Sequence, residues 1–357
     1  MKRWIALAAA ALPLPAQPPL TLEEVLRSVE QHYPPLLAAI QDRTLAAADV
    51  LAASSRFDLS MKSSYEGTHG GYYQTDVYRA GIEQATQFQG MSWFAGYQLG
   101  AGTFASYDGK LQTDTGGEYR AGLRLPVLRD RSIDVRRADL QKALIGRRIA
   151  DLGVDQQRLV ILQLATRRYY EWVAAGQRYR VAQAVLKVAE QRDGQLREAA
   201  RLGQIPQIDV TDNQRAILTR RAQVIEALRA LQQAAIELSL FYRDSGGNPL
   251  LPPEDRLPPS FPSIREIDEQ RLEEDIELAL KRRPEIRRFQ AQRSQVEVDR
   301  KLAQNQLLPN VDMVLSFTSQ LGERRVRRGP NDVTAALTFD LPAQRRAAKS
   351  RDLAALA

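Results

Sequence analysis

Apolar residues across 132–202 recur at three- and four-residue spacing with no proline among them, which predicts one continuous helix. At about 1.5 Å per residue, roughly 70 helical residues make a rod of about 105 Å, too long for a compact domain. Ile145, Ile149, Leu152, Leu159 and Leu162, then Val181, Val185 and Val188, mark its expected seam, of coiled-coil type. Gly146, Gly153, Gly176 and Gly194 each cost about 1 kcal/mol of helix propensity, and close helix approach is the reason to expect them. Leu202-Gly203-Gln204-Ile205-Pro206 ends the rod, and Val210, Ile217, Val224, Leu228, Leu231, Ala235 and Leu238 carry a heptad through to Phe241. The two segments predict an antiparallel hairpin whose return arm is about half as long as its outgoing arm.

Ahead of the rod, Thr21-Leu22-Glu23-Glu24 is a capping box: the Thr21 hydroxyl accepts from the backbone N–H three residues on, and Glu24 reaches back. The helix it starts carries Leu22, Val25, Leu26 and Val29 on one face and is interrupted at Pro34-Pro35, after which an alanine-rich helix spans 36–55. Stacked on the return arm, that second helix covers most of the rod's remaining length. From Asp58 the period becomes two. Leu59, Met61 and Tyr65 alternate with Lys62, Ser64 and Glu66; Met91, Trp93, Ala95, Tyr97, Leu99 and Ala101 with Ser92, Gln98 and two glycines; Tyr119, Ala121, Leu123 and Leu125 with Glu118, Arg120 and Arg124. Such runs suit tilted transmembrane strands with one lipid face and one polar face, Trp93, Tyr97, Tyr107 and Tyr119 serving as interfacial aromatics. A half-solvated soluble sheet has the same alternation. Asp130 or Ser132 is positioned to cap the long helix.

Residues 244–262, rich in glycine and proline, read as a linker, and beyond it the pattern returns. Leu272-Glu273-Glu274 stands to Pro284 as Leu22-Glu23-Glu24 stands to Pro34, and Asp299 falls where Asp49 does. Leu308-Pro309 opens further period-two runs (Val311, Met313, Leu315, Phe317; then Ala335, Leu337, Phe339), and Leu341-Pro342 echoes Leu125-Pro126. The expected organisation has three parts. A leader, 1–16, precedes a first repeat, 17–262, made of helices 21–56, strands 58–128, a long hairpin 132–243 and the linker 244–262. A second repeat, 263–357, holds helices 263–307, strands 309–341 and the opening of another long helix, 343–357. By analogy, about 110 to 120 residues of a second hairpin would follow.

Composition and charge narrow the function classes. The net charge is +7, but lysine and arginine interleave with acids as on solvated helix faces, rather than clustering as in a nucleic-acid footprint. With no cysteine there is no disulfide framework, thiolate metal site or lipoprotein anchor. Beyond the N-terminus no run of about 18 apolar residues offers a membrane-crossing helix, so any crossing is made of strands. Lys2 and Arg3, the apolar run 4–12 and the small or proline residues of 13–16 have the plan of a signal peptide. His32 and His69 lie far apart, and residues 100–105 match a dinucleotide fingerprint only loosely, inside a strand with no helix after it. The chain carries no catalytic constellation, metal spacing or cofactor motif and reads as a non-enzyme. Arg324, Arg325, Arg327 and Arg328 cluster between the strands of the second repeat. If that loop faces outward, they would pair with phosphates of the outer leaflet.

Several of these segments together resemble the TolC family of outer-membrane efflux proteins. They are Leu278-Ala279-Leu280 with Pro284-Glu285-Ile286, Leu308-Pro309 at a strand start, Leu123-Arg124-Leu125-Pro126-Val127-Leu128 before the long helix, and Leu202-Gly203-Gln204 with Asp209-Val210 at the tip. The resemblance covers the chain from Thr21 to its end. It implies a mixed α/β membrane protein: transmembrane β-barrel strands continued by a long α-helical coiled-coil tunnel in the periplasm, a duplicated repeat, and a homotrimer. It also implies the passive channel component of a tripartite efflux or type I secretion system, seated in outer-membrane lipid. Its partners would be a periplasmic adaptor (membrane fusion) protein and an inner-membrane transporter, with no nucleic acid and no cofactor. Leu202, Gly203 and Gln204 match the adaptor-contacting tip motif, while Arg201 departs from the small apolar residue usual before it. The chain would be a C-terminally incomplete copy without the hairpin that bears the family's acidic constriction. Its first strand region is about twice the length of its second, room for an extra hairpin. A secreted or cell-surface structural coiled-coil protein, and a non-functional truncated duct, are the alternative readings.

Overall fold

The computed structural model describes residues 18–261, 268–324, 329, 331–341 and 344–356. The leader at 1–16, Arg325, Arg327 and Arg328 of the loop cluster, and Pro342 lie outside the described residues. Seven helices are formed by the described residues: α1 (Leu22–His32), α2 (Pro34–Ser54), α3 (Val135–Arg201), α4 (Gln207–Ser239), α5 (Glu269–Arg282), α6 (Pro284–Asn305) and α7 (Arg346–Ala354). Six strands accompany them: β1 (Ser60–Thr68), β2 (Thr75–Ala85), β3 (Ser92–Gly102), β4 (Glu118–Pro126), β5 (Asn310–Gln320) and β6 (Asn331–Asp340). The chain divides into two compact units, Met1–Gln41 with Val154–Lys281 and Asp42–Gly153 with Arg282–Ala357.

In the first unit α3 and α4 form the expected hairpin. Ile161, Ala165, Tyr169, Trp172 and Val173 of α3, at helical spacing, meet Leu231 and Leu238 of α4 and then Phe241, while α1 lays Val25 and Val29 on the same seam. Trp172 is the largest side chain fully withdrawn from solvent, which anchors the seam where three helices meet. On α3 the expected seam residues Leu159, Val181, Val185 and Val188 are exposed and Ala189 is buried instead, whereas Val210 and Ile217 of the expected α4 heptad are buried. The contact stripe of α3 runs one position past the valines, at Ala182, Leu186 and Ala189, on the face that α4 covers. Asp193 sits in this stripe, bound by Arg197 at 2.6 Å and by the Asn213 amide at 3.2 Å, a polar pair that fixes the register of the arms.

Residues 244–261 are a strap rather than a free linker. Leu257 is buried against Trp172 and Tyr169 in the core, and the Gln177 and Arg180 side chains donate to the Pro258 carbonyl at 2.8 and 2.9 Å. Close approach accounts for only one of the four helical glycines, Gly176, and what approaches is this strap: a Cβ there would meet Leu257 Cδ2 at 2.2 Å, whereas Gly153 and Gly194 face open space. Thr21 caps α1, accepting from the Glu24 N–H at 3.2 Å. Glu24 itself does not close the capping box, because Arg256 takes its carboxylate at 2.6 Å and the Tyr242 hydroxyl donates to it at 2.9 Å. The Arg256 hydrogen bond, ahead of Tyr242, holds Glu24 below the usual carboxylate range.

The second unit is a six-stranded antiparallel sheet in sequence order, β1-β2-β3-β4-β5-β6, with α6, α7 and the first turns of α3. Ile133, Ala138, Val298 and Leu302 form its helical core. Lys142 bridges Asp299 at 2.9 Å and Asp139 at 3.5 Å, and Arg56 reaches Asp139. The cap of α3 is neither Asp130 nor Ser132 but Asp134, whose Oδ1 accepts from the Arg137 N–H at 2.8 Å. Asp130 has a left-handed φ of 66° and is clamped from two sides. Its N–H donates to Asn305 Oδ1 at 2.8 Å, and its carbonyl accepts from Arg137 at 2.6 Å. Asn305 also donates to Ser132 Oγ at 2.9 Å, so one buried amide fastens the β4–α3 connection to the end of α6.

Candidate functional site: a two-faced sheet and a helical tip

Residues directly opposite in antiparallel strands share a face, so the register of the six strands sorts every side chain. One face carries Lys62, Arg79, Glu83, Gln98, Arg120 and Arg124, continued by Ser316, Thr318 and Thr334. The other carries Met61, Ile82, Ala95, Ala121, Leu315, Phe317, Leu337 and Phe339. The apolar face is the exposed one where burial would be expected: Met61 is 81%, Val333 80% and Leu337 69% accessible. A soluble sheet packs its apolar face on a core; this one presents it outward across all six strands, as a lipid-facing wall does.

The polar face is internally paired. Lys62 binds Glu83 and Arg79 binds Glu66, each at 3.2 Å, Arg79 also donates to Gln98, and Gln320 donates to Glu118. Arg120 lies 5.8 Å from the Phe94 ring centre, and these groups line an open trough. On the apolar face the Tyr65 and Tyr78 rings pack in a tilted pair 4.8 Å apart and those of Tyr97 and Tyr119 in another 5.3 Å apart, in adjacent rows toward the end of the sheet that bears the longer loops. A one-sided tyrosine band of this kind suits a membrane interface. Strand lengths of 9 to 11 residues match those of tilted membrane-crossing strands. Among the described residues β1 and β6 each pair on one side only.

The three tip residues are brought together by a Schellman turn. Gly203 takes φ 71°, its N–H donates to Ala200 O and that of Gln204 to Ala199 O, both at 3.0 Å. Nothing lies within 4 Å of a Cβ placed on Gly203, so glycine serves the backbone angle rather than a close contact. Leu202 is exposed, Pro206 precedes the first turn of α4, and Arg201 is held by Glu198 at 2.6 Å.

No protein-family model matches the chain, and no curated protein sequence does. Solved structures do match. The open-state MtrE outer membrane channel of Neisseria gonorrhoeae aligns with a TM-score of 0.55 at 16% identity, over 94% of this chain and 68% of that one. A membrane protein from Pseudomonas aeruginosa gives 0.54 at 14%, over 99% and 78%, and the CmeC outer membrane channel of Campylobacter jejuni 0.51 at 15%, over 98% and 71%. The chain has the fold of the TolC-like outer-membrane channels. In this TolC-like chain the strands before the long helix number four and those after it two. Of the four, β2 was not legible as an alternating run. Asp76 stands on its apolar face, satisfied by the Tyr65 hydroxyl at 2.7 Å, and Val77 on its polar face, 2% exposed. Those two exchanges, with Gln84 on the apolar face and Ala85 on the polar face at the other end of the strand, mask its alternation.

Proposed function

We propose that the chain is a subunit of a passive outer-membrane duct, the channel component of a tripartite efflux or type I secretion system. The observation that supports this best is the sheet with one exposed apolar face and one charged face. In lipid every backbone group must be satisfied within the protein, so the free sides of β1 and β6 need a partner. These strands run in opposite directions, as the first and last of six antiparallel strands must, so the β6 edge of one copy suits the β1 edge of the next. Three copies contributing six strands each close an eighteen-stranded barrel, a size that leaves an aqueous channel.

The leader at 1–16 directs export, and the repeats at 17–262 and 263–357 together build one stave of the wall. The helices stand in the periplasm, where Leu202, Gly203 and Gln204 meet a periplasmic adaptor that joins the duct to an inner-membrane transporter. The pump supplies the energy, and the duct performs no chemistry. Expressed in a Gram-negative host, the protein should sediment with outer membranes, leave them only with detergent, cross-link as a trimer and conduct in planar bilayers. Recovery as a soluble protein without current would refute the reading. Leu202→Asp should lower efflux while leaving the outer-membrane trimer intact.

A further inference from the structure

The β3–β4 connection, residues 103–117, folds back onto the sheet instead of standing clear of it. Gly100 pairs with Val77, and both belong to the polar face. A Cβ on Gly100 would lie 1.9 Å from the Leu111 carbonyl oxygen, so the loop backbone crosses that face directly over the strand. Gln98, one step further along the same face, donates to the same Leu111 oxygen at 3.3 Å. Val77 beneath is 2% exposed. An isolated valine on a charged face is out of place unless something covers it, and this loop does.

The fold-back is anchored at several points. Thr113 is fully buried; its N–H donates to Gly100 O at 3.3 Å, and its hydroxyl accepts from Gly100 N–H at 3.1 Å. The Asp114 N–H donates to Gln320 at 3.1 Å, the Gly116 N–H to Leu321 O at 2.7 Å, and Glu323 N–H to Thr115 Oγ1 at 2.6 Å. The neighbouring β1–β2 connection behaves differently: Tyr72 is 86% exposed, and a Cβ on Gly70 would meet nothing within 4 Å. Inward folding therefore distinguishes this loop from the β1–β2 connection and is built by Gly100, Thr113 and Val77.

We infer that residues 103–117 form a fixed constriction on the channel side of the barrel wall, which sets the size of solute able to leave the duct. The inference rests on the duct reading, since only there does the polar face bound a passage. Each copy lays one backbone thickness, about 5 Å, across its own part of the wall, so three copies narrow the passage from three sides. Glycine at 100 is required because any side chain would push the loop back into the channel.

The test compares the full chain with a variant in which residues 104–112 are replaced by two glycines, both reconstituted in planar bilayers. The shortened protein should keep its β-sheet circular dichroism and heat-modifiable migration, carry about 1.5-fold or more current per channel, and admit larger neutral polymers. The chain has no cysteine, so Val77→Cys gives a clean second readout. It should resist a water-soluble maleimide under the full loop and react once the loop is shortened. Equal current and equal polymer cut-off in folded protein, or ready labelling of Val77→Cys under the full loop, would overturn the constriction while leaving the duct standing. Silence of both proteins would refute the duct reading, and the constriction with it.

Discussion

Ala335 and Ala336 are adjacent at the middle of β6, and the register puts them on opposite faces: Ala335 lies across from Leu315 on the apolar side, Ala336 across from Val314 on the polar side. Ten residues at about 3.3 Å rise and about 40° of tilt span about 25 Å, the height of an outer-membrane apolar band, so in the proposed duct both would sit within a few ångströms of its centre. Arginine at 335 would face hydrocarbon near the midplane, which costs about 2 to 4 kcal/mol, or about 30-fold to 1,000-fold in the folding equilibrium. Arginine at 336 would face the water-filled passage. Its nearest like charge, Arg124, is two strands away, about 10 Å, beyond the screening length at physiological salt, so its effect should stay within about 0.5 kcal/mol. Urea titration of folding into lipid vesicles, followed by heat-modifiable migration, reads the difference directly. Equal midpoints for A335R and A336R, or a larger loss for A336R, would show that the apolar face does not meet lipid.

Three further predictions concern the packing beneath the wall and the helices. Arg256→Ala should cost about 1 to 3 kcal/mol, the lower end reflecting the partial exposure of Glu24. Glu24 is depressed from an ordinary 4.5, so its contribution is fully present above that value and lost as pH falls through its lowered pKa; the gap between the native chain and Glu24→Gln should therefore shrink as the pH is taken below 4.5 in chemical denaturation. Gly176→Ala should destabilise by about 1 to 3 kcal/mol through collision with Leu257, whereas Gly194→Ala, in open space, should stabilise by about 0.5 to 1 kcal/mol, opposite signs readable in the same thermal melts. Asn305→Ala leaves the Asp130 N–H without its acceptor, costing about 1 to 3 kcal/mol, and should speed hydrogen exchange at Asp130 well before the sheet amides.

The helices and five of the six strands were legible because their periods persist over many residues. Thr21 as a cap, the break at Pro34 and the glycine-ended tip are local backbone rules, and local rules survive without knowledge of the fold. What escaped depends on contacts between distant residues. The α3 stripe lies beside Val181 and Val188 rather than on them because α4, not hydropathy, decides which face is covered. The cap at Asp134 required knowing that Asn305 and Arg137 hold the chain left-handed at Asp130. The strap at 244–261 looked like spacer because its proline-rich composition is that of linkers, yet Leu257 and Arg256 tie it to α3 and α1. Strand β2 was hidden by Asp76 and Val77, each on the face that its residue type disfavours, and each satisfied by a partner from another segment.

The charge pattern on the polar face bears on where selectivity resides. Lys62, Arg79, Arg120 and Arg124 share that face with Glu66, Glu83, Glu118, Asp312, Asp332 and Asp340, four bases against six acids, and Lys62 with Glu83 and Arg79 with Glu66 are already paired across neighbouring strands. A passage lined by one sign of charge focuses a field and enriches the opposite ion; paired charges at about 3 Å leave only short-range dipoles, which physiological salt screens within about 8 Å. In the proposed duct such a wall would keep water and ions in the bore with only a slight preference for cations, so a solute would be limited chiefly by its size at the narrowest ring. Discrimination by charge or chemistry then has to occur before the solute reaches the sheet. Reversal-potential measurements across a salt gradient should accordingly give a cation-to-anion permeability only modestly above unity. Breaking a single pair with Glu83→Gln should free Lys62 and shift that ratio toward anions, whereas anion selectivity in the native channel would contradict the slight excess of acids on this face.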